Sequence, residues 1–203
     1  MEEHRLMQIA RHLILNSSYL DNLGLFHGKM GIVLFFAHYA KYSANSLYDD
    51  FAGELLKEIY DDIDSSISID FENGLSGIGW GINYLLQHSF MPGDANEILG
   101  DLDKIIMERD LRRITDLSLR KGLLGISCYV QSRIDLVTHN SQIMPFDEMY
   151  LSDWKEAVKK HSINTSLYTF KNLLKELFHE DGSLELLGLE NGYAGAGLSL
   201  LLR

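Results

Sequence analysis

Cysteine is almost missing from this chain. Cys128 is the only one in 203 residues, so no internal disulfide can form. Proline is nearly as scarce, and Pro92 and Pro145 both lie outside the helical patterns, where a missing amide does no harm. No apolar run approaches the roughly 20 residues that span a bilayer. Positive charge is in deficit, with 18 basic against 29 acidic residues and a net charge of −11. Nucleic acid and anionic membranes need clustered positive charge, so both are excluded as expected partners, and a basic partner is favoured. The opening Met1-Glu2-Glu3-His4-Arg5 begins an amphipathic pattern and not the apolar core of a signal peptide, which makes a cytoplasmic protein the expectation. Hydrophobic content of 46% with 23% charged residues is ordinary for a soluble globular chain. At this length about 70% of the unfolded surface can be buried, so one domain over 1–203 is expected.

What the chain does contain is one phrase four times. Gly-x-x-Gly followed by a small or branched apolar residue stands at Gly28–Ile32, Gly74–Ile78, Gly122–Ile126 and Gly192–Ala196. The first glycines are 46, 48 and 70 residues apart, a spacing typical of helical repeats, with an insertion in the third interval. Dense apolar runs follow, such as Ile32 to Ala37 and Leu198 to Leu202. Between phrases, apolar residues recur at helical spacing: Leu6, Ile9, Ala10, Leu13 and Ile14; Phe51, Leu55, Leu56, Ile59 and Ile63; Ile98, Leu99, Leu102, Ile105 and Ile106; Phe170, Leu173, Leu174, Leu177 and Phe178. Half-wet helices belong outside and all-apolar ones inside. The expected fold is therefore all-α, about four inner/outer helix pairs. Glycine at the inner helix starts allows unusual backbone angles and close helix approach.

His27-Gly28-x-x-Gly31-Ile32, Asn73-Gly74-Leu75-Ser76-Gly77-Ile78-Gly79-Trp80-Gly81 and the closing Gly188-to-Arg203 segment resemble the lanthionine synthetase C-like family. The likeness spans about Leu23 to Arg203. It implies an α/α toroid and a place in lantibiotic biosynthesis, where a Cys thiol adds to a dehydrated Ser or Thr of a ribosomally made peptide to form a thioether. In that family a zinc ion holds the thiolate, through a Trp-Cys-x-Gly phrase and a Cys-His-Gly phrase. Neither phrase is present here. No metal or other cofactor is therefore expected, and the chain looks like a shortened, accessory or peptide-binding member. A peptide or protein substrate, for instance one with a basic leader, is the expected partner.

The candidate ligand-binding residues follow from the phrases. His27, Asn73, Lys121 and Asn191 precede the four first glycines, at helix entrances where free amides and the helix dipole favour anionic or carbonyl groups. Asn73 and Asn191 also suit helix capping. Trp80 and Tyr193 offer ring faces. The acidic Asp21, Asp70, Glu72, Asp116 and Glu190 sit just ahead of the phrases, where they either line a mouth or stabilise helix starts. His27, Asp70 and Glu72 are the weak catalytic candidates. The last two define an alternative function, a carbohydrate-active α/α enzyme with paired carboxylates. A purely structural interaction module is the third option. The insertion from Asp135 to Ser166 spaces Met149, Tyr150, Leu151, Trp154 and Val158 for a short amphipathic helix. An open arc of four helix pairs would leave apolar end faces uncovered, which a homodimer would cover.

Overall fold

Helices form where the amphipathic period is strongest. In the computed structural model, which describes residues 2–64, 66–140, 143–179 and 184–203, the half-wet segments become α1 (Glu2–Asn16), α3 (Ser46–Asp62), α5 (Ala95–Met107) and α8 (Phe170–Leu177). Each buries one stripe, such as Leu6, Ile9, Ala10 and Leu13 on α1. The runs after the glycine phrases become α2 (Lys29–Ser43), α4 (Leu75–Gln87), α6 (Leu123–Asn140) and α9 (Tyr193–Leu201). Helix α2 is buried over most of its circumference, from Lys29 through Ala37 without a break. The insertion supplies α7 (Glu148–Lys160). Among the described residues the chain is all-helical, with no strand.

The two helix types begin differently, and the reason is hydrogen-bond accounting. Helices α3, α5, α7 and α8 start at Asn45, Asp94, Asp147 and Thr169, whose side chains accept from amides of the first turn. Helices α2, α4 and α9 start at Gly28, Gly74 and Gly192, which have no side chain to cap with. Their first amides are satisfied by the preceding loop instead. Lys29 N donates to Asn22 O, Leu75 N to Ser68 O, Leu123 N to Asp116 O and Tyr193 N to Leu186 O, at 2.8, 2.8, 2.9 and 2.9 Å. All four bonds close a loop of the same length, from a residue to the carbonyl seven positions earlier.

That loop explains the glycines, and it corrects the expectation of unusual angles. Gly28, Gly74 and Gly192 have φ of −112°, −108° and −117°, ordinary extended backbone. What they need is space. A Cβ on Gly28 would lie 2.5 Å from Asn22 O, and one on Gly31 would lie 2.7 Å from Leu25 O. A Cβ on Gly74, Gly122 or Gly192 would also strike the carbonyl six residues earlier, and so would one on Gly125 or Gly195. Gly-x-x-Gly is the footprint of a loop lying flat on the helix start.

The chain divides into two compact units, Met1–Ile67 with Tyr168–Arg203, and Ser68–Leu167. In the first, α2 packs on α3 and α9, and α9 also packs on α1 and α8. The first and last repeats thus pack on each other within this unit. In the second unit α4 packs on α5 and α6. Helix α7 lays its apolar face on its own unit: Trp154 Nε1 donates to Ser127 Oγ at 3.1 Å, and Tyr150 rests on Phe146.

Both units build the same motif. Leu189 N and Glu190 N share Phe26 O at 2.7 and 3.0 Å in the first; Phe71 N and Glu72 N share Arg120 O at 2.9 and 3.0 Å in the second. In each pair of phrases the donors stand three and two residues ahead of one first glycine, and the acceptor two ahead of the other. A Cβ on Gly31 would meet the Leu189 side chain, and one on Gly125 the Phe71 side chain. Gly197 lies against the Phe35 ring as Gly79 lies against the Tyr129 ring. Every one of these contacts joins equivalent positions.

Candidate functional site

The shared loop places the residues just ahead of each phrase at the start of a buried helix, and there the two units diverge in chemistry. In the first unit His27 Nε2 faces Glu190 Oε2 at 3.0 Å, with side chains 29% and 20% exposed. This is the geometry in which a carboxylate orients an imidazole. Beside it on the same helix start, Tyr193 is half-buried and stacks on His12 at a ring distance of 3.9 Å. In the second unit Arg120 Nη1 donates to Glu72 Oε1 at 2.9 Å. Glu190 and Glu72 hold equivalent positions, but their partners do not: His27 stands one residue ahead of Gly28 and Arg120 two ahead of Gly122.

The other sequence candidates are placed as follows. Asn191 and Asn73 are not helix caps, because the cap position belongs to the glycine that follows each. Asn191 takes a left-handed backbone, φ 46°, and its Oδ1 accepts from His179 N at 3.3 Å. Asn73 N donates to Asp70 Oδ1 at 2.8 Å. Asp70 also accepts from Gly74 N at 3.1 Å and from the Ser68 hydroxyl. Its carboxylate therefore braces the loop. Asp116 does the same through Ser118 N at 2.7 Å, and that hydrogen bonding holds its carboxyl below the usual carboxylate range. Trp80 lies in the core of the second unit, 6% exposed, edge-on to Phe71 and stacked with Tyr84. Lys121 is exposed and lines a pocket of about 400 Å³ together with Arg109 and Arg113.

Zinc, implied by the family resemblance, takes at least three protein ligands in a catalytic site. Cys128 is 4% exposed on the buried helix α6, closed off from any substrate thiol. His27 and Glu190 offer two ligand atoms in the first unit. Neither unit by itself gathers three such atoms among the described residues.

Two features went unread in the sequence. One is a buried polar cluster in the second unit, where Arg133 Nη2 donates to Asp103 Oδ2 at 2.8 Å and to Asn96 Oδ1 at 2.8 Å. Tyr129 Oη donates to Asp103 Oδ1 at 2.5 Å. Arg133 is 0% and Asp103 1% exposed. Burial and the neighbouring Asp103 charge push the Tyr129 phenol well above its usual 10. The signal was there: Asp103 falls on the apolar stripe of α5, between Leu99, Leu102 and Ile106. The other is the run of cations at Arg109, Arg112, Arg113, Arg120 and Lys121, five of the chain's 18 basic residues within 13 positions.

Comparison with protein-family models, curated proteins and solved structures gave no match. No helix among the described residues is long and apolar enough to cross a membrane.

Proposed function

We propose that this protein is a lanthionine synthetase C-like protein of α/α-toroid-like architecture that binds a ribosomally made peptide during its maturation, without the family's zinc-held thiolate. The observation that carries the reading is the fourfold loop closure: every glycine phrase on which the resemblance rests folds the same way, and the phrases pair last with first and second with third. Such regularity is what a ring of helix pairs requires of its inner layer.

The peptide-binding role draws on charge. Glu190, held half-exposed against His27 at the start of α9, is an acceptor for a Lys or Arg side chain, and the chain as a whole carries −11. A basic leader would be drawn in by that field and held by such carboxylates. The sugar-hydrolysing alternative gains nothing from the second unit, since Asp70 is engaged by three loop donors and Glu72 by Arg120.

The test is fluorescence anisotropy with a labelled synthetic peptide bearing a Lys/Arg-rich leader and a Ser/Thr/Cys core. Saturable binding is expected, weakened about fivefold in Glu190→Gln, the effect of roughly 1 kcal/mol from one partly exposed ion pair. Absence of saturable binding at low salt overturns the proposal.

A further inference from the structure

The most basic segment of an acidic chain lines a pocket. Between α5 and α6, the second unit turns Arg109, Arg113 and Lys121 into a cavity of about 400 Å³ whose remaining walls include Ile69, Ile114 and Ile126. Two acidic residues, Glu108 and Asp110, stand at the same cavity. Asp110 is already committed: Arg112 Nε and the Arg112 backbone N both donate to one oxygen, at 2.8 and 3.1 Å, and Arg113 Nε approaches the other at 3.6 Å. Its charge is spent on the two arginines that form the turn. Arg109 has no ion-pair partner among the described residues. The Lys121 backbone donates to Ser118 Oγ at 3.3 Å, and its ammonium interacts with the Asp116 carboxylate.

Three cations against two carboxylates line the cavity, and Asp110 is already shared by Arg112 and Arg113, so an excess of one positive charge remains that an anion would relieve. Nothing about folding asks for this arrangement. The loop closure that builds the phrase uses the backbone of Asp116 and Leu123, and Asn or Ser would serve at the position of Lys121 as well as lysine. The cavity size suits a small molecule. The Arg109 fork and the Lys121 ammonium match a head with several acidic oxygens and two charges, because a fork binds such a group through paired hydrogen bonds. The isoleucine side walls suit a short apolar body.

We propose that this pocket binds a small phosphate monoester with an apolar substituent of a few carbons. The site lies wholly within the second unit and stands independently of the peptide-binding role, which draws on Glu190 in the first.

Isothermal titration of the full chain at low salt, with phenyl phosphate, benzoate and inorganic phosphate as probes, tests this. Phenyl phosphate is expected to bind at one site, and more tightly than either other probe, because only it combines the doubly charged head with an apolar body. Arg109→Gln and Lys121→Gln should each weaken it about tenfold, the effect of losing a hydrogen bond to a charged group. Arg5→Gln, exposed in the first unit, removes the same charge and should leave binding unchanged. Both pocket positions are exposed, so the variants should keep the wild-type far-ultraviolet circular dichroism spectrum. The proposal is overturned if phenyl phosphate fails to saturate, if benzoate or inorganic phosphate binds as tightly, or if Arg5→Gln weakens binding as much as the pocket variants do.

Discussion

The two units use one backbone motif and fill it with opposite chemistry. In the first, the ring packed against the α9 glycine is Phe35, and the polar atoms sit outside, at the half-exposed pair of His27 and Glu190. In the second, the equivalent ring is Tyr129, and its hydroxyl reaches into a buried cluster with Asp103 and Arg133. Backbone contacts are preserved where side chains are not. The motif is therefore specified by its glycines and loop carbonyls, which leaves the side chains free to build an interior network in one unit and an accessible pair in the other.

The contrast is sharpest at the buried ion pair. Asp103→Ala should destabilise the protein by about 3–5 kcal/mol, because it strands a guanidinium that no water can reach. Chemical denaturation measures this. The double change Asp103→Leu with Arg133→Met should recover most of the loss, since an apolar pair of similar volume avoids the desolvation of both charges. If the single variant costs under 1 kcal/mol, the cluster does not hold the second unit together.

Glycine substitutions should affect both units alike. Gly125→Ala and Gly195→Ala each push a methyl into the carbonyl six residues earlier, Leu119 O and Leu189 O, and each should cost about 1–3 kcal/mol. Gly53 on α3 has nothing within 4 Å of its Cβ position. Gly53→Ala should therefore stabilise, by up to about 1 kcal/mol, through helix propensity. Equal effects at Gly53 and Gly125 would break the account of the phrase.

High pH should weaken both units, since burial and the neighbouring Tyr48 push Tyr39 of the first up to about 12, with the larger effect in the second. The second holds Tyr129 neutral, with a phenol raised well above 10, and burial pushes Tyr84 up to about 12. The unfolded chain loses those protons near pH 10 while the fold retains them. Stability is therefore full below pH 10 and falls as pH rises toward the raised folded values. Denaturation midpoints between pH 9 and 12 follow this, and Tyr129→Phe should flatten the slope. The smallest effect belongs to the first unit's exposed pair, where Glu190→Gln should change stability by less than about 1 kcal/mol while it weakens peptide binding.

Much of the fold was legible because period and glycine spacing are strong local signals. Leu6 to Leu13, Phe51 to Ile59 and Phe170 to Leu177 fall on helices that bury a stripe at this spacing, while Ile14 is exposed and Ile63 and Phe178 stand one residue past their helices; the short helix carrying Trp154 forms within the insertion. The reason for the glycines was not legible, since a carbonyl six residues away leaves no mark on the helix pattern. The same limit misassigned Asn73 and Asn191, whose sequence suits a cap that the next residue occupies. Trp80, next to a glycine pair, gave no sign of which way its ring would turn. The Arg133–Asp103 pair was missed although Asp103 interrupts an apolar stripe, because its partner lies 30 residues away on another helix.

The account stands or falls on peptide binding without metal-activated thiolate chemistry, and the most direct measurement joins zinc content to the fate of a thiol. Protein purified without chelator or affinity tag would be assayed by elemental mass spectrometry, then incubated with a peptide carrying a dehydrated Ser and a Cys, followed by thiol alkylation. The account predicts no stoichiometric zinc and a thiol that remains fully alkylated. One zinc per chain, lost in His27→Ala, together with a thiol protected from alkylation, would contradict it.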